Sequence, residues 1–293
     1  MKIRIGIGVA SLPGDGFTEL VDELERLGVD SLWLSEQVST DAVEPMAGMA
    51  YALGRTRTLK VGTGVAVLPG RNPVLVAKQL ASLARLAPRR VLPVFGLGPA
   101  RPSERAAFPV PPGRRGAVFD EALQVVRRLL SEPSVTFHGE FFDFTDLGIG
   151  ARPQRPLDIW LGGAAPAALR RVGRFGDGWL ASLVTPAEAA AGIAVITEAA
   201  AAAGREIDPE HFGLSLRVAF DPLPESQLAA IRRRRPDLDP AALVPVGWPA
   251  ARAMIDEYVA AGVSKFVIYP AAPPQEWPSF LDGFARELMP LQT

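Results

Sequence analysis

The chain has 293 residues, 48% apolar and 22% charged, with a formal net charge of −1. That composition suits a globular chain with a large buried core, and so small a net charge gives no basic field to hold a phosphate backbone, so no nucleic-acid partner is expected. There is no cysteine and only two histidines, His138 and His211, which removes disulfides, thiolate nucleophiles and zinc–thiolate sites and leaves no expected metal site.

The first element, within "MKIRIGIGVASLPGDG", reads as a strand. Lys2 and Arg4 alternate into the apolar run, and Pro13-Gly14 ends it too early for a secretory signal. No stretch of the length that spans a bilayer is free of charge, so no membrane partner is expected, and the absence of cysteine points to a cytoplasmic location. Apolar runs follow at roughly 3–10, 30–35, 60–68, 90–97, 157–161, 178–182, 213–220 and 264–269, with helical spacing between most of them. Phe119, Leu123, Val126 and Leu130, for example, share one face opposite Glu121, Arg127 and Arg128. Helix starts are punctuated by Asn72-Pro73 and by the capping box Thr185-Pro186-Ala187-Glu188.

Strands alternating with helices imply parallel strands and crossover connections. The turn after the first strand, "ASLPGDGF", lacks the glycine pattern of a dinucleotide-binding sheet. A closed (β/α)8 TIM barrel, forming a single domain over residues 1–293, is therefore favoured over an open doubly wound sheet. The long gap after the fourth strand makes insertion segments of about 99–115 and 132–156 around a helix, a length that normally marks a functional loop, a lid or a dimer contact.

Barrel chemistry sits where strands end. Those ends read "LSEQ" at 34–37, "VAVLP" at 65–69, "GLGP" at 96–99 and "LGGAAP" at 161–166, and they are nearly bare of functional side chains. A hydrolase or aldolase should show paired carboxylates or a pocket lysine there. A rim of glycine and small apolar groups suits a ligand that brings its own reactivity. Within "VGTGVAVLPGRNP" (61–73), Gly62 and Gly64 interrupt an otherwise apolar strand, either to let a flat ligand approach the backbone or to fit beside a large residue in the barrel interior. "GGAAPAALRR" (162–171) joins a strand to a helix whose first turn holds Pro166, leaving free N–H groups that can cradle an anion.

The order of "GVDSLWLSEQ", "VGTGVAVLPGRNPVLVAKQLASLARLAPRRVLPVFGLG", "FDEALQVVRRLL", "FHGEFFDF", "IWLGGAAPAALRRVGRFGDGWLAS" and "GWPAARAMIDEYVAAGVSKFVIYP" resembles the bacterial luciferase-like flavin and deazaflavin oxidoreductases over about residues 2 to 270. The resemblance implies a barrel with an insertion after strand four, usually a homodimer, binding the deazaflavin F420 or, alternatively, FMN. It implies a cis peptide near Gly64-Val65 behind the ring, Val67 nearby, Leu97 and Gly98 beside the ring, and a phosphate held by Gly163, Ala164, Ala165 and Ala167. It implies that Glu36 and Gln37 occupy the catalytic positions: Glu36 is an acid bonded to the ring system, its alternative being a cap or a salt-bridge partner for a neighbouring arginine, while Gln37 replaces a histidine that handles a proton in several relatives. Pro99 stands where sugar-phosphate-oxidising relatives carry a glutamate. The implied activity is hydride transfer between F420 and a small organic substrate. An FMN-dependent monooxygenase and a barrel that binds a flavin or deazaflavin without turnover are the alternatives.

Other features read more plainly. Glu104 is expected to be a solvated loop acid, His138 structural, His211 at the wrong end of the barrel for catalysis, and "RRRRP" (232–236) a solvated or dimer-facing surface rather than a phosphate site. Trp33, Trp160 and Trp179 are expected in the core, Trp179 near the cofactor end. Phe108, Phe137 and Phe141 of the insertion are expected to shape the substrate site.

Overall fold

The protein is described by a computed structural model covering residues 1–293 apart from Ser11, Pro13 and Gln275, with the side chains of Asp15 and Ser226 also outside the description. Twelve strands and nine α-helices follow in chain order among the described residues. The sheet begins with β1 (Arg4–Val9), β2 (Ser31–Leu34), β3 (Lys60–Thr63), β4 (Ala66–Val67), β5 (Val91–Leu92) and β6 (Val94–Gly96). An antiparallel hairpin, β7 (Val135–His138) and β8 (Asp143–Leu147), stands apart before β9 (Trp160–Gly162), β10 (Gly178–Ser182), β11 (Phe212–Val218) and β12 (Lys265–Pro270).

Neighbouring strands run in the order β4-β6-β9-β10-β11-β12-β1-β2-β3-β5, every pair parallel. β3 and β4 are two halves of one stave separated by Gly64-Val65, whose peptide bond is cis. β5 and β6 are likewise halves of one stave, broken at Pro93, which has no N–H to give a ladder. The halves pair β3 with β5 and β4 with β6, so the ten strands make eight staves and the sheet closes. The expected TIM barrel is what the chain forms, and its strands lie within a few residues of the apolar runs.

The helices are α1 (Gly14–Leu27), α2 (Pro45–Arg55), α3 (Pro73–Leu86), α4 (Arg115–Ser131), α5 (Pro166–Phe175), α6 (Pro186–Ala202), α7 (Glu225–Arg234), α8 (Gly247–Ala260) and α9 (Trp277–Glu287). Asn72 caps α3 through the N–H groups of Val74 and Leu75, and Thr185 with Glu188 closes the capping box of α6, as the sequence predicts. The insertion after β6 carries a 3-10 turn at Pro102–Ala107, α4 and the β7–β8 hairpin. Phe119, Leu123 and Val126 of α4 are buried against the barrel.

Two apolar cores result. One fills the shell between strands and helices. The other plugs the barrel lumen with Trp33, Val94, Trp160, Leu180, Val267 and Tyr269. Such large rings need space from their neighbours. A Cβ on Gly62 would lie 2.5 Å from the Leu92 carbonyl and 3.0 Å from the Trp33 ring, so Gly62 serves interior packing rather than a ligand.

The amino end of the barrel is tied by one carboxylate. Asp30 accepts from Lys60 Nζ at 2.6 Å and Lys265 Nζ at 3.0 Å, with Arg4 Nε 3.8 Å away. Burial pushes the Asp30 carboxyl up, but Lys265 and Lys60 outweigh it and hold the group at about 2, below its ordinary 3.8. Because the folded value is the lower one, the stabilisation is complete above about pH 4 and is lost as pH falls through 2. That shift corresponds to about 2 kcal/mol. Urea unfolding of wild type and Asp30→Asn should show a large gap at neutral pH that closes below pH 4; a gap independent of pH would refute this reading.

Candidate functional site

At the carboxyl ends of the strands the barrel opens into a cleft of about 940 Å3. Glu36, Gln37, Gly64, Val65, Val67, Leu97, Gly98, Gly163, Ala164 and Ala165 all line it, drawn together from four separate strand ends. Ala167 does not. It lies on the outer side of the first turn of α5, and Ala168, a further 100° around the helix, takes the lining position instead.

The broken stave shapes the floor. Gly64 lines the cleft, and its carbonyl accepts from Ser35 Oγ at 3.0 Å and Tyr269 Oη at 3.2 Å. Val65 is thrust across the next two staves. A Cβ on Gly96 would come 2.6 Å from Val65 Cγ2, and one on Gly162 would come 3.1 Å from Val65 Cγ1. Glycines at the ends of β6 and β9 therefore exist in this pattern to admit one isopropyl group.

Glu36 braces the same loop. Its carboxylate accepts the Val67 N–H at 2.6 Å and pairs with Arg71, whose Nε donates to the Val67 carbonyl at 2.9 Å. Arg71 also lies 3.8 Å from Glu44 and stacks 5.6 Å from the Phe108 ring centre. Burial raises the pKa of Glu36, and the Val67 N–H and Arg71 only partly offset it. Arg71, inside the quoted 61–73 stretch, is the arginine that pairs with Glu36, a partner the sequence reading allowed for without naming.

Gln37 donates from Nε2 to the Ala10 carbonyl, while its Oε1 is buried with no partner among the described residues. It offers a waiting acceptor at the cleft wall rather than a titrating group. Tyr269 and Tyr258 also line the cleft, each pushed up to about 12 by burial. No histidine lines it among the described residues.

At the opposite wall, α5 begins without a side-chain cap at Ala165. Trp179 Nε1 donates to the Gly163 carbonyl at 2.8 Å and fixes the turn before the helix. Its uncapped N–H groups and dipole suit an anion. The rim adds Arg217 and Arg234, neither of which has a carboxylate partner among the described residues, and burial together with the Arg217 charge lowers the pKa of Arg234. Arg235 is instead held by Glu188 and Asp237.

Several expectations change here. "RRRRP" is mostly exposed, at Arg232 beside Glu225, Arg233 and Arg234, but Arg234 and Arg235 also border the cleft. Glu104 is buried, accepting the Ser39 N–H at 3.1 Å and the Ser39 hydroxyl at 2.6 Å, so it ties the insertion to the loop after β2 rather than facing solvent. Phe108, Phe137 and Phe141 do not line the cleft. Phe108 packs under Arg71, Phe137 stacks on Phe144 within the hairpin, and Phe141 lies under Arg114. His138 lies on the hairpin, 2.6 Å from Asp143 of the facing strand, and His211 lies at the amino end as expected. Trp33, Trp160 and Trp179 are buried.

No cluster of metal-ligating side chains occurs among the described residues, and no helix among them is long and apolar enough to cross a membrane. Fold and cleft together define a (β/α)8 barrel whose ligand would be gripped mainly by main chain. The chain matches the family model of the luciferase-like monooxygenases over residues 3–264, and it belongs to that family.

It is 26% identical over 306 aligned positions to an F420-dependent glucose-6-phosphate dehydrogenase of Kineococcus radiotolerans, covering 92% of this chain and 90% of the relative. An F420-dependent secondary alcohol dehydrogenase solved with an F420–acetone adduct superposes with a TM-score of 0.84 at 20% identity over the whole of both chains. The oxygenating constituent of 3,6-diketocamphane monooxygenase from Pseudomonas putida, solved with FMN, gives 0.77 at 16% identity, covering 100% of this chain and 99% of the other.

Proposed function

We propose that the chain is a single barrel domain acting as an F420-dependent oxidoreductase on a small organic substrate. The observation that carries this reading is the pairing, in one cleft, of a side-chain-poor floor at Val65 with an uncapped helix start at Ala165. The volume suits a large planar ligand, since such sites span roughly 300–1,000 Å3. Full-length relatives named as F420-dependent dehydrogenases support the same choice.

When bound, the deazaflavin supplies a ring carbon that takes or gives a hydride. The chain's own residues do the rest. Gly163, Ala164 and Ala165 would hold its phosphate through main-chain groups, and Val65, Leu97 and Gly98 would hold its ring. Gln37 Oε1, buried without a partner among the described residues, would accept a hydrogen bond from it. Glu36, whose pKa burial raises, lines the cleft and would handle the proton that Gln37 cannot. Arg217 and Arg234 suit an acidic group on the substrate.

The test is to titrate the purified protein with F420 and FMN separately by calorimetry. F420 should bind at least about tenfold more tightly, a difference of about 1.4 kcal/mol. A preference for FMN would favour the monooxygenase reading, and binding of neither would discard both. Binding of F420 with no catalysed absorbance change, across alcohol and aldehyde substrates, would leave a non-catalytic barrel.

A further inference from the structure

The amino end of the barrel holds a second cavity, of about 570 Å3, on the far side of the lumen plug from the cleft. Its floor is the underside of that plug: Trp33, Leu92, Val94 and Trp160. Trp33 is held rigidly, its Nε1 donating to Ser31 Oγ at 2.9 Å and Ser31 Oγ to Asp30 at 2.9 Å. His211 leans on Trp160 with ring centres 5.4 Å apart.

The walls carry far more positive than negative charge. Arg4, Lys60 and Lys265 share the single carboxylate of Asp30, and Lys265 is almost fully buried. Arg85, Arg89, Arg155 and the ammonium of Lys2 have no carboxylate partner among the described residues. Only Asp158 and Glu210 oppose them in the lining, and Asp158 lies 4.0 Å from His211. In a chain with a net charge of −1, this concentration of cations around an aromatic floor is a local departure from the average. Like charges held together without counterions repel, and an anion entering between them removes that repulsion. Guanidinium groups in particular suit phosphate and carboxylate oxygens.

We infer that this basal cavity is a second ligand site, taking a small organic phosphate or carboxylate, with the anion among Arg85, Arg89 and Arg155. It is separate from the proposed coenzyme cleft and does not depend on that assignment.

Calorimetric titration with AMP and with 2-naphthoate tests it and distinguishes the two anions, with adenosine as the uncharged control. At least one of the anions should bind, and adenosine should bind far more weakly. Arg85→Glu/Arg155→Glu changes two exposed side chains and leaves the fold intact. It should weaken the bound anion by about 10- to 100-fold, the value of one or two charge-assisted hydrogen bonds. Arg234→Glu, in the other cleft, should leave that binding unchanged. Heat lost in Arg234→Glu but kept in the double variant would place the ligand in the upper cleft and overturn the inference, as would absence of binding by both anions. If F420 fails to bind while AMP or naphthoate behaves as stated, the basal site stands and only the coenzyme assignment falls.

Discussion

Gly64→Ala should lower thermal stability and weaken F420 binding by about tenfold, through one collision. The added Cβ would sit well inside contact distance of Tyr269 Oη, whereas the ring carbon behind that oxygen would be 3.6 Å away, ordinary contact. Tyr269 is buried in the lumen plug and bonds the Gly64 carbonyl, so it cannot move aside without losing that partner. Overpacking of this kind costs about 1–3 kcal/mol. Removing only the hydroxyl relieves the collision, so Gly64→Ala/Tyr269→Phe should recover much of the stability lost by Gly64→Ala alone. Strict additivity in this double-mutant cycle, measured by urea unfolding, would show that Tyr269 is not what the methyl group meets.

The second large effect is expected at Glu36. Glu36→Gln keeps the shape and an acceptor for the Val67 N–H but removes the charge facing Arg71 and the only group at the floor proposed to titrate. Turnover should fall by about 100-fold, the lower range for loss of a general acid or base. The limb of the kcat–pH profile that reports Glu36 should flatten. The stability loss should be smaller, about 1–2 kcal/mol, because Arg71 is a quarter exposed and keeps Glu44 at 3.8 Å. A fall in stability with kcat and its pH profile unchanged would make Glu36 a brace for the 65–71 loop and nothing more.

The barrel was legible because its signal is periodic and distributed: strand runs, helix faces and caps such as Asn72 and Thr185 agree along the chain. The cleft-lining residues at 36–37, 64, 65, 67, 97–98 and 163–165 were legible because strand ends of a barrel converge. What escaped the sequence was contact between distant segments. Nothing local says that Arg71 turns back to Glu36, that Glu104 buries itself against Ser39, or that α7 brings Arg234 to the rim while leaving Arg232 outside. Aromatic residues of the insertion misled for a related reason. Phe137 and Phe144 satisfy each other within the hairpin, a pairing that only the folded β7–β8 register reveals. The two strand glycines of 61–73 also part company once folded, Gly62 serving Trp33 and Gly64 facing the cleft.

Closure of the barrel depends on its least continuous join. β11 and β12 share six register pairs, but the third and fourth staves meet through two pairs below their interruptions and two above. Val65 and Val67 stand on one lip of that seam and Gly96 and Leu97 on the other, all facing the same cleft. An occupant touching both lips would splice the cylinder where its own ladder is interrupted, so resistance to unfolding in this family member is coupled to occupancy of its mouth.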